Sequence, residues 1–226
     1  MTAPLKIGLM VPINNTTMEG ELTAWLPPGT QCKTLRIPRG KGMLTADSIP
    51  AYKANALALA KQFRAEGIDI LAYGCTAASF IAGPAAETAL TQELMEATGT
   101  PVVTTARAMV QALQDAHAED VAVVTPYQDA VNNQIKAFLT DGGIRVRAFD
   151  SLYAKDVDAL GRIRADEVAA MARATMNDEC DAMFIACSQL PTLAILDGLR
   201  AEFARPVLSS IQSTAWQVRR TLNIHP

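Results

Sequence analysis

Two cysteines in this chain stand in the same local setting, and thiols so placed are candidate nucleophiles or proton carriers. Cys75 lies in Asp69-Ile-Leu-Ala-Tyr-Gly-Cys-Thr-Ala-Ala-Ser-Phe80, and Cys187 in Asp181-Ala-Met-Phe-Ile-Ala-Cys-Ser-Gln-Leu-Pro-Thr192. Each copy runs from an acidic residue through a mostly apolar stretch to a small residue, the cysteine and a hydroxyl residue. An ionised thiol attacks carbon, and one whose pKa is lowered from about 8.5 serves as acid or base. Two facing thiols suit removal of a proton from one face of a carbon and return of one to the other. They equally suit addition of a thiolate to a double bond and its later expulsion. The N–H groups beside the cysteines, with the hydroxyls of Thr76, Ser188 and Tyr127, would hold a carboxylate whose charge grows as an enediolate forms. Cys32 and Cys180 read instead as small buried hydrophobes.

Other chemistries find little support. The two histidines are His117, in the polar turn Gln114-Asp-Ala-His-Ala-Glu-Asp120, and His225, next to the carboxyl terminus. Neither is placed to serve a cleft, which argues against Ser-His-Asp and Cys-His mechanisms. No Cys-x-x-Cys pair or Cys/His cluster marks a metal site, and no glycine-rich phosphate loop marks a nucleotide, so neither metal nor cofactor is expected. A net charge of −3 with no long basic run argues against nucleic acid as a partner. No apolar stretch reaches the length of a membrane span, and the opening Met1-Thr-Ala-Pro-Leu-Lys6 lacks the layout of a signal peptide. The expected setting is the cytoplasm, with thiols reduced.

The elements that must position the cysteines follow from the pattern of apolar residues. The run before each cysteine reads as a buried strand, and the residues after it as a turn into a helix. Both thiols would then sit at the carboxyl edge of a sheet, where open α/β sheets bind ligands, and at helix amino ends that lower a thiol pKa. The repeat extends further: Lys6-Ile-Gly-Leu-Met-Val-Pro12 resembles Asp120-Val-Ala-Val-Val-Thr-Pro126, and Thr100-Pro-Val-Val-Thr-Thr105 resembles Arg205-Pro-Val-Leu-Ser-Ser210. Strands alternate with helices throughout the 226 residues. The expected fold is α/β, with two pseudo-symmetric lobes, each a mainly parallel sheet flanked by helices, and the active site in the cleft between them. The first lobe takes 1–104 and a returning helix within 211–226, and the second takes 105–210. Helices are expected over Ser48 to Glu66 and Thr192 to Phe203. Pro38-Arg-Gly-Lys-Gly-Met43 reads as a surface loop, and a lid from Arg39 to Thr45 is the other reading. The helix face Ala54-Leu57-Ala58 could meet a second copy in a homodimer, or face its own core.

Four segments, in order, carry a resemblance to a known family. They are Val11-Pro-Ile-Asn-Asn-Thr-Thr-Met-Glu19, Tyr73-Gly-Cys-Thr76, Val124-Thr-Pro-Tyr127 and Ile185-Ala-Cys-Ser-Gln-Leu-Pro-Thr192. The chain resembles the aspartate/glutamate racemase superfamily, in its maleate cis-trans isomerase and arylmalonate decarboxylase branch. The resemblance implies two pseudo-symmetric lobes and a reaction without metal or organic cofactor. It makes Cys75 the thiolate that adds to substrate and Cys187 the thiol that handles protons. It implies that Asn15 and Tyr127 bind a substrate carboxylate and that Thr76 belongs to an oxyanion hole.

In the decarboxylases of that branch the position of Cys75 is a glycine, so both thiols together favour an isomerase or racemase of a small carboxylic acid. A decarboxylase using Cys187 alone is the second reading, and a two-lobed binding protein for a small acid is the third. One position departs from the isomerases. Val157 stands where they carry an asparagine for the substrate's second carboxylate, and an isopropyl group cannot make that hydrogen bond.

Overall fold

The computed structural model describes residues 4–40 and 42–224. His225, and Lys41 within the 38–43 loop, lie outside the described residues.

Two four-stranded sheets of one design carry the molecule. The first holds β1 (Lys6–Pro12), β2 (Gln31–Ile37), β3 (Ile70–Tyr73) and β4 (Val102–Thr104), in the order β2-β1-β3-β4. The second holds β5 (Asp120–Thr125), β6 (Arg145–Ser151), β7 (Ala182–Ile185) and β8 (Val207–Ser209), in the order β6-β5-β7-β8. All pairings are parallel. Strands β3 and β7 are buried along their whole length, as the continuous apolar runs Ile-Leu-Ala-Tyr and Ala-Met-Phe-Ile require. The edge strands β2 and β6 share one alternating pattern of exposure.

Small polar devices repeat with the strands. The Asp69 carboxylate accepts from the Lys6 N–H at 2.7 Å, and Asp181 accepts from the Glu119 and Asp120 N–H groups at 2.9 and 3.1 Å. The acidic residue opening each copy thus ties its strand to the start of the neighbouring one. Helices α5 (Thr105–Asp115) and α10 (Ser210–Thr221) are each capped by the residue that ends the preceding strand, Thr104 and Ser209. Helix α10 lays Ile211, Ala215 and Val218 among Ile7, Leu9 and Val11 of β1.

The remaining helices are α1 (Met18–Ala24), α2 (Ile49–Ala60), α3 (Thr76–Phe80), α4 (Gly83–Thr98), α6 (Asp129–Asp141), α7 (Val157–Gly161), α8 (Ala165–Thr175) and α9 (Leu196–Phe203). Two differ from expectation. Helix α7 is a single short helix started by the Asp156 carboxylate, which accepts from the Ala159 N–H at 2.7 Å; five residues are too few for a periodic apolar pattern. Helix α9 begins at Leu196 rather than Thr192, because the Thr192 hydroxyl and N–H are both bound to the Glu21 carboxylate, at 2.9 and 2.8 Å. Among the described residues no helix is long and apolar enough to cross a membrane.

Candidate active site

The carboxyl ends of β3 and β7 deliver Cys75 and Cys187 to one cavity of about 160 Å³ between the two sheets. Asn15, Thr76, Tyr127 and Ser188 line the same cavity, so all six expected site residues are brought together. His117 is exposed on the turn after α5 and is not part of it.

Each cysteine is held by its own loop. Cys75 is the residue before α3, in extended conformation, and the Ala78 N–H points at its sulfur. Gly74 precedes it because nothing larger fits: a Cβ there would stand 2.4 Å from Met18 Sδ and 2.9 Å from Val11 Cγ1. Cys187 has φ of +124°, a conformation side-chain-bearing residues rarely adopt. Its N–H donates to Ser210 Oγ at 3.0 Å, which fixes that backbone, and the Gln189 N–H meets its sulfur at 3.5 Å.

The polar residues divide into engaged and free groups. The Asn15 amide donates to the carbonyl and hydroxyl oxygens of Ser188 at 3.1 and 3.3 Å. Its oxygen accepts from the Thr17 and Met18 N–H groups at 3.1 and 3.0 Å. The Ser188 hydroxyl donates to the Gly74 carbonyl at 2.6 Å. These two side chains tie the loops of the two lobes together. In contrast, the hydroxyls of Thr76 and Tyr127 are buried without a well-formed hydrogen bond. Tyr127 is aimed by its surroundings: its carbonyl accepts from Asn132 Nδ2 at 2.9 Å and Ser151 Oγ at 2.6 Å, and its ring meets Phe80 edge-on at 5.9 Å.

Burial governs the thiols. It pushes Cys75 up to about 11, against the Ala78 N–H, the Tyr52 hydroxyl and the charge of Arg39, all of which favour the thiolate. Cys187 is also raised by burial, against the Gln189 and Leu190 N–H groups, the Tyr127 hydroxyl and Arg39. The expected lowering at helix amino ends is therefore corrected. Helix α3 has only five residues, and Cys187 is followed by a turn, so neither dipole offsets the loss of water.

The cavity also holds residues that sequence reasoning passed over. Tyr52 of α2 presents a buried, otherwise unpartnered hydroxyl to Cys75. Its place among the apolar positions of α2 reads as core, and nothing in the spacing reveals the hydroxyl's direction. The loop before α2 supplies Arg39, Met43, Leu44 and Thr45 to the wall, so it covers the site rather than lying apart on the surface. From α7 it is Leu160, not Val157, that reaches the cavity. Among the described residues no group of three His, Cys, Asp or Glu side chains is gathered to hold a metal.

A family model described as arylmalonate decarboxylase matches residues 7–226, nearly the whole chain. The chain belongs to the arylmalonate decarboxylase family. Within reach of this family lies a maleate isomerase from Nocardia farcinica, 28% identical over 97% of this chain and 90% of that protein. The structure of a cysteine-to-serine mutant of maleate cis-trans isomerase from Nocardia farcinica carries a covalently bound succinylcysteine intermediate. It is 26% identical and superposes with a TM-score of 0.90 over 98% of this chain and 94% of that one. The maleate isomerase Iso from Pseudomonas putida S16, 24% identical, has the same fold, with a TM-score of 0.92 over 98% of this chain and 94% of that one. The two parallel sheets and their flanking helices are thus an arrangement this family shares with the maleate isomerases.

Proposed function

We propose that this protein is a cofactor-independent, two-cysteine isomerase of a small unsaturated carboxylic acid, with maleate as the reference substrate. The observation that carries the reading is the pairing of Cys75 with Cys187 in one closed cavity. A decarboxylase of this family needs one thiol to protonate an enediolate; a second thiol beside it gives a nucleophile as well.

The Cys75 thiolate forms a C–S bond to one olefinic carbon, and the π pair moves onto the adjoining carbon and its carboxylate as an enediolate. The former double bond, now single, rotates. Return of the pair expels the thiolate and leaves the trans acid. Thr76 and Tyr127, whose hydroxyls have no other partner, donate to the carboxylate on which charge collects. Cys187 exchanges a proton with the enediolate carbon. Asn15 and Ser188 bind the same carboxylate once substrate displaces part of their mutual bonding; until then they hold the loops in place.

The proposal includes membership of the aspartate/glutamate racemase superfamily and a division into lobes at 1–104 with 211–226, and 105–210. The packing of α10 on β1 supports the returning helix. A cytoplasmic setting is supported by the chemistry, since all four cysteines are unpaired and two must stay reduced. A homodimer is supported by α2, where Ala54 and Ala58 are exposed while Tyr52, Ala56 and Ala60 form its buried side.

Proton NMR in deuterium oxide without added cofactor tests the reading, on maleate, aspartate, glutamate and phenylmalonate. Fumarate from maleate is the expected result. Loss of carbon dioxide from phenylmalonate alone would make the protein a decarboxylase, deuterium at an amino-acid α-carbon a racemase, and silence on all four a binding protein or an enzyme of another acid.

A further inference from the structure

The cavity holds a cation that this reaction scheme leaves without a task. Arg39, between β2 and α2, lines it together with Cys75 and Cys187. Its Nε–H is buried and makes no hydrogen bond, while a terminal N–H donates to the Gly42 carbonyl of its own loop. Among the described residues no Asp or Glu forms an ion pair with it. A buried guanidinium N–H left unpaired is costly, and the planar fork of arginine matches a carboxylate. The charge of Arg39 favours the thiolate of both cysteines, which puts it within electrostatic reach of an anion lying between them. Helix α7, meanwhile, offers the cavity the apolar Leu160 and no amide.

We propose that Arg39 grips a second carboxylate of the substrate, so that the site selects small dicarboxylates by a loop-borne guanidinium instead of an amide from α7. The inference rests on the isomerase reading of the same cavity and names its substrate class. It also accounts for an arginine on a loop otherwise made of turn formers: the cation arrives with the segment that covers the site, and the second carboxylate holds that segment down.

Isothermal titration calorimetry with succinate and butyrate, both saturated and unreactive, tests this on the wild type, Arg39→Gln and Arg39→Lys. The wild type should bind succinate at least about tenfold more tightly than butyrate, the range of one charge-assisted hydrogen bond or more. Arg39→Gln should bind the two acids alike, with its butyrate affinity unchanged, and Arg39→Lys should recover part of the preference. Equal binding in the wild type, a succinate preference that survives in Arg39→Gln, or an equal loss of both acids would each overturn the proposal. Binding needs no turnover, so the two readings fail separately. A succinate preference that depends on Arg39, with maleate left unconverted, would sink the isomerase and keep the dicarboxylate site; converted maleate with no effect of Arg39 would do the reverse.

Discussion

The Asn15 side-chain amide donates to both the carbonyl and the hydroxyl oxygen of Ser188, at 3.1 and 3.3 Å, and so joins the loop after β1 to the loop after β7. Its own oxygen meanwhile caps the backbone of Thr17 and Met18. Asn15→Ala therefore leaves several buried groups unpaired at once. A loss of about 1–3 kcal/mol is expected, read as a lower urea midpoint at unchanged slope. An unmoved midpoint would show that the two loops do not depend on this link.

Gly74→Ala tests how tightly the Cys75 loop is packed. The added methyl group meets Met18, Val11 and Leu9 side chains at 2.4 to 3.1 Å. Overpacking of this kind costs about 1–3 kcal/mol. Displacement of Cys75 should also slow turnover in the folded variant. A melting temperature equal to that of the wild type would mean the pocket has more room than the geometry indicates.

Cys187 combines a reactive group with a strained backbone, and two substitutions separate them. Cys187→Ala and Cys187→Gly both remove the thiol and should both be inactive. Only glycine relieves the φ of +124°, so Cys187→Gly should be the more stable of the two by about 1 kcal/mol. Denaturant melts of the pair decide it, and a more stable alanine variant would contradict the strain.

Stability should fall at alkaline pH. Cys75 in the folded protein ionises near about 11, above the ordinary thiol value, because burial disfavours the thiolate. Between those values the folded state holds the proton more firmly than the unfolded one. Its contribution is whole below the unfolded pKa and is lost as pH rises through 11. Tyr52, Tyr73 and Tyr127, raised by burial as well, act in the same direction at higher pH. The loss from Cys75 is on the order of 2 kcal/mol, and Cys75→Ala should flatten the melting temperature between pH 9 and 11. Equal slopes for wild type and variant would refute the raised thiol.

Much of the fold is legible because parallel strands buried on both faces are written as uninterrupted apolar runs, and the runs before Cys75 and Cys187 are of that kind. The site is legible to the extent that a residue sits at a strand's end, as Cys75, Thr76, Tyr127, Cys187 and Ser188 do. What escapes is direction and cover. Tyr52 occupies a core-like position on α2 whose hydroxyl happens to face a thiol, and Arg39 belongs to a turn-rich loop that folds back over the cavity. Helix α7 escapes because one turn of helix has no period, and with it the fact that Leu160 rather than Val157 faces the substrate space. The sign of the thiol shifts escapes too, since it depends on how much water the closed cavity excludes.

Intact-protein mass spectrometry with peptide mapping of Cys187→Ser after incubation with maleate addresses the covalent step at its source. With Cys75 as the attacking thiolate and its partner removed, the expected result is a single adduct of one maleate on the peptide that carries Cys75. An unmodified Cys75, or an adduct on Cys32 or Cys180 instead, would contradict the assignment of Cys75 as the nucleophile.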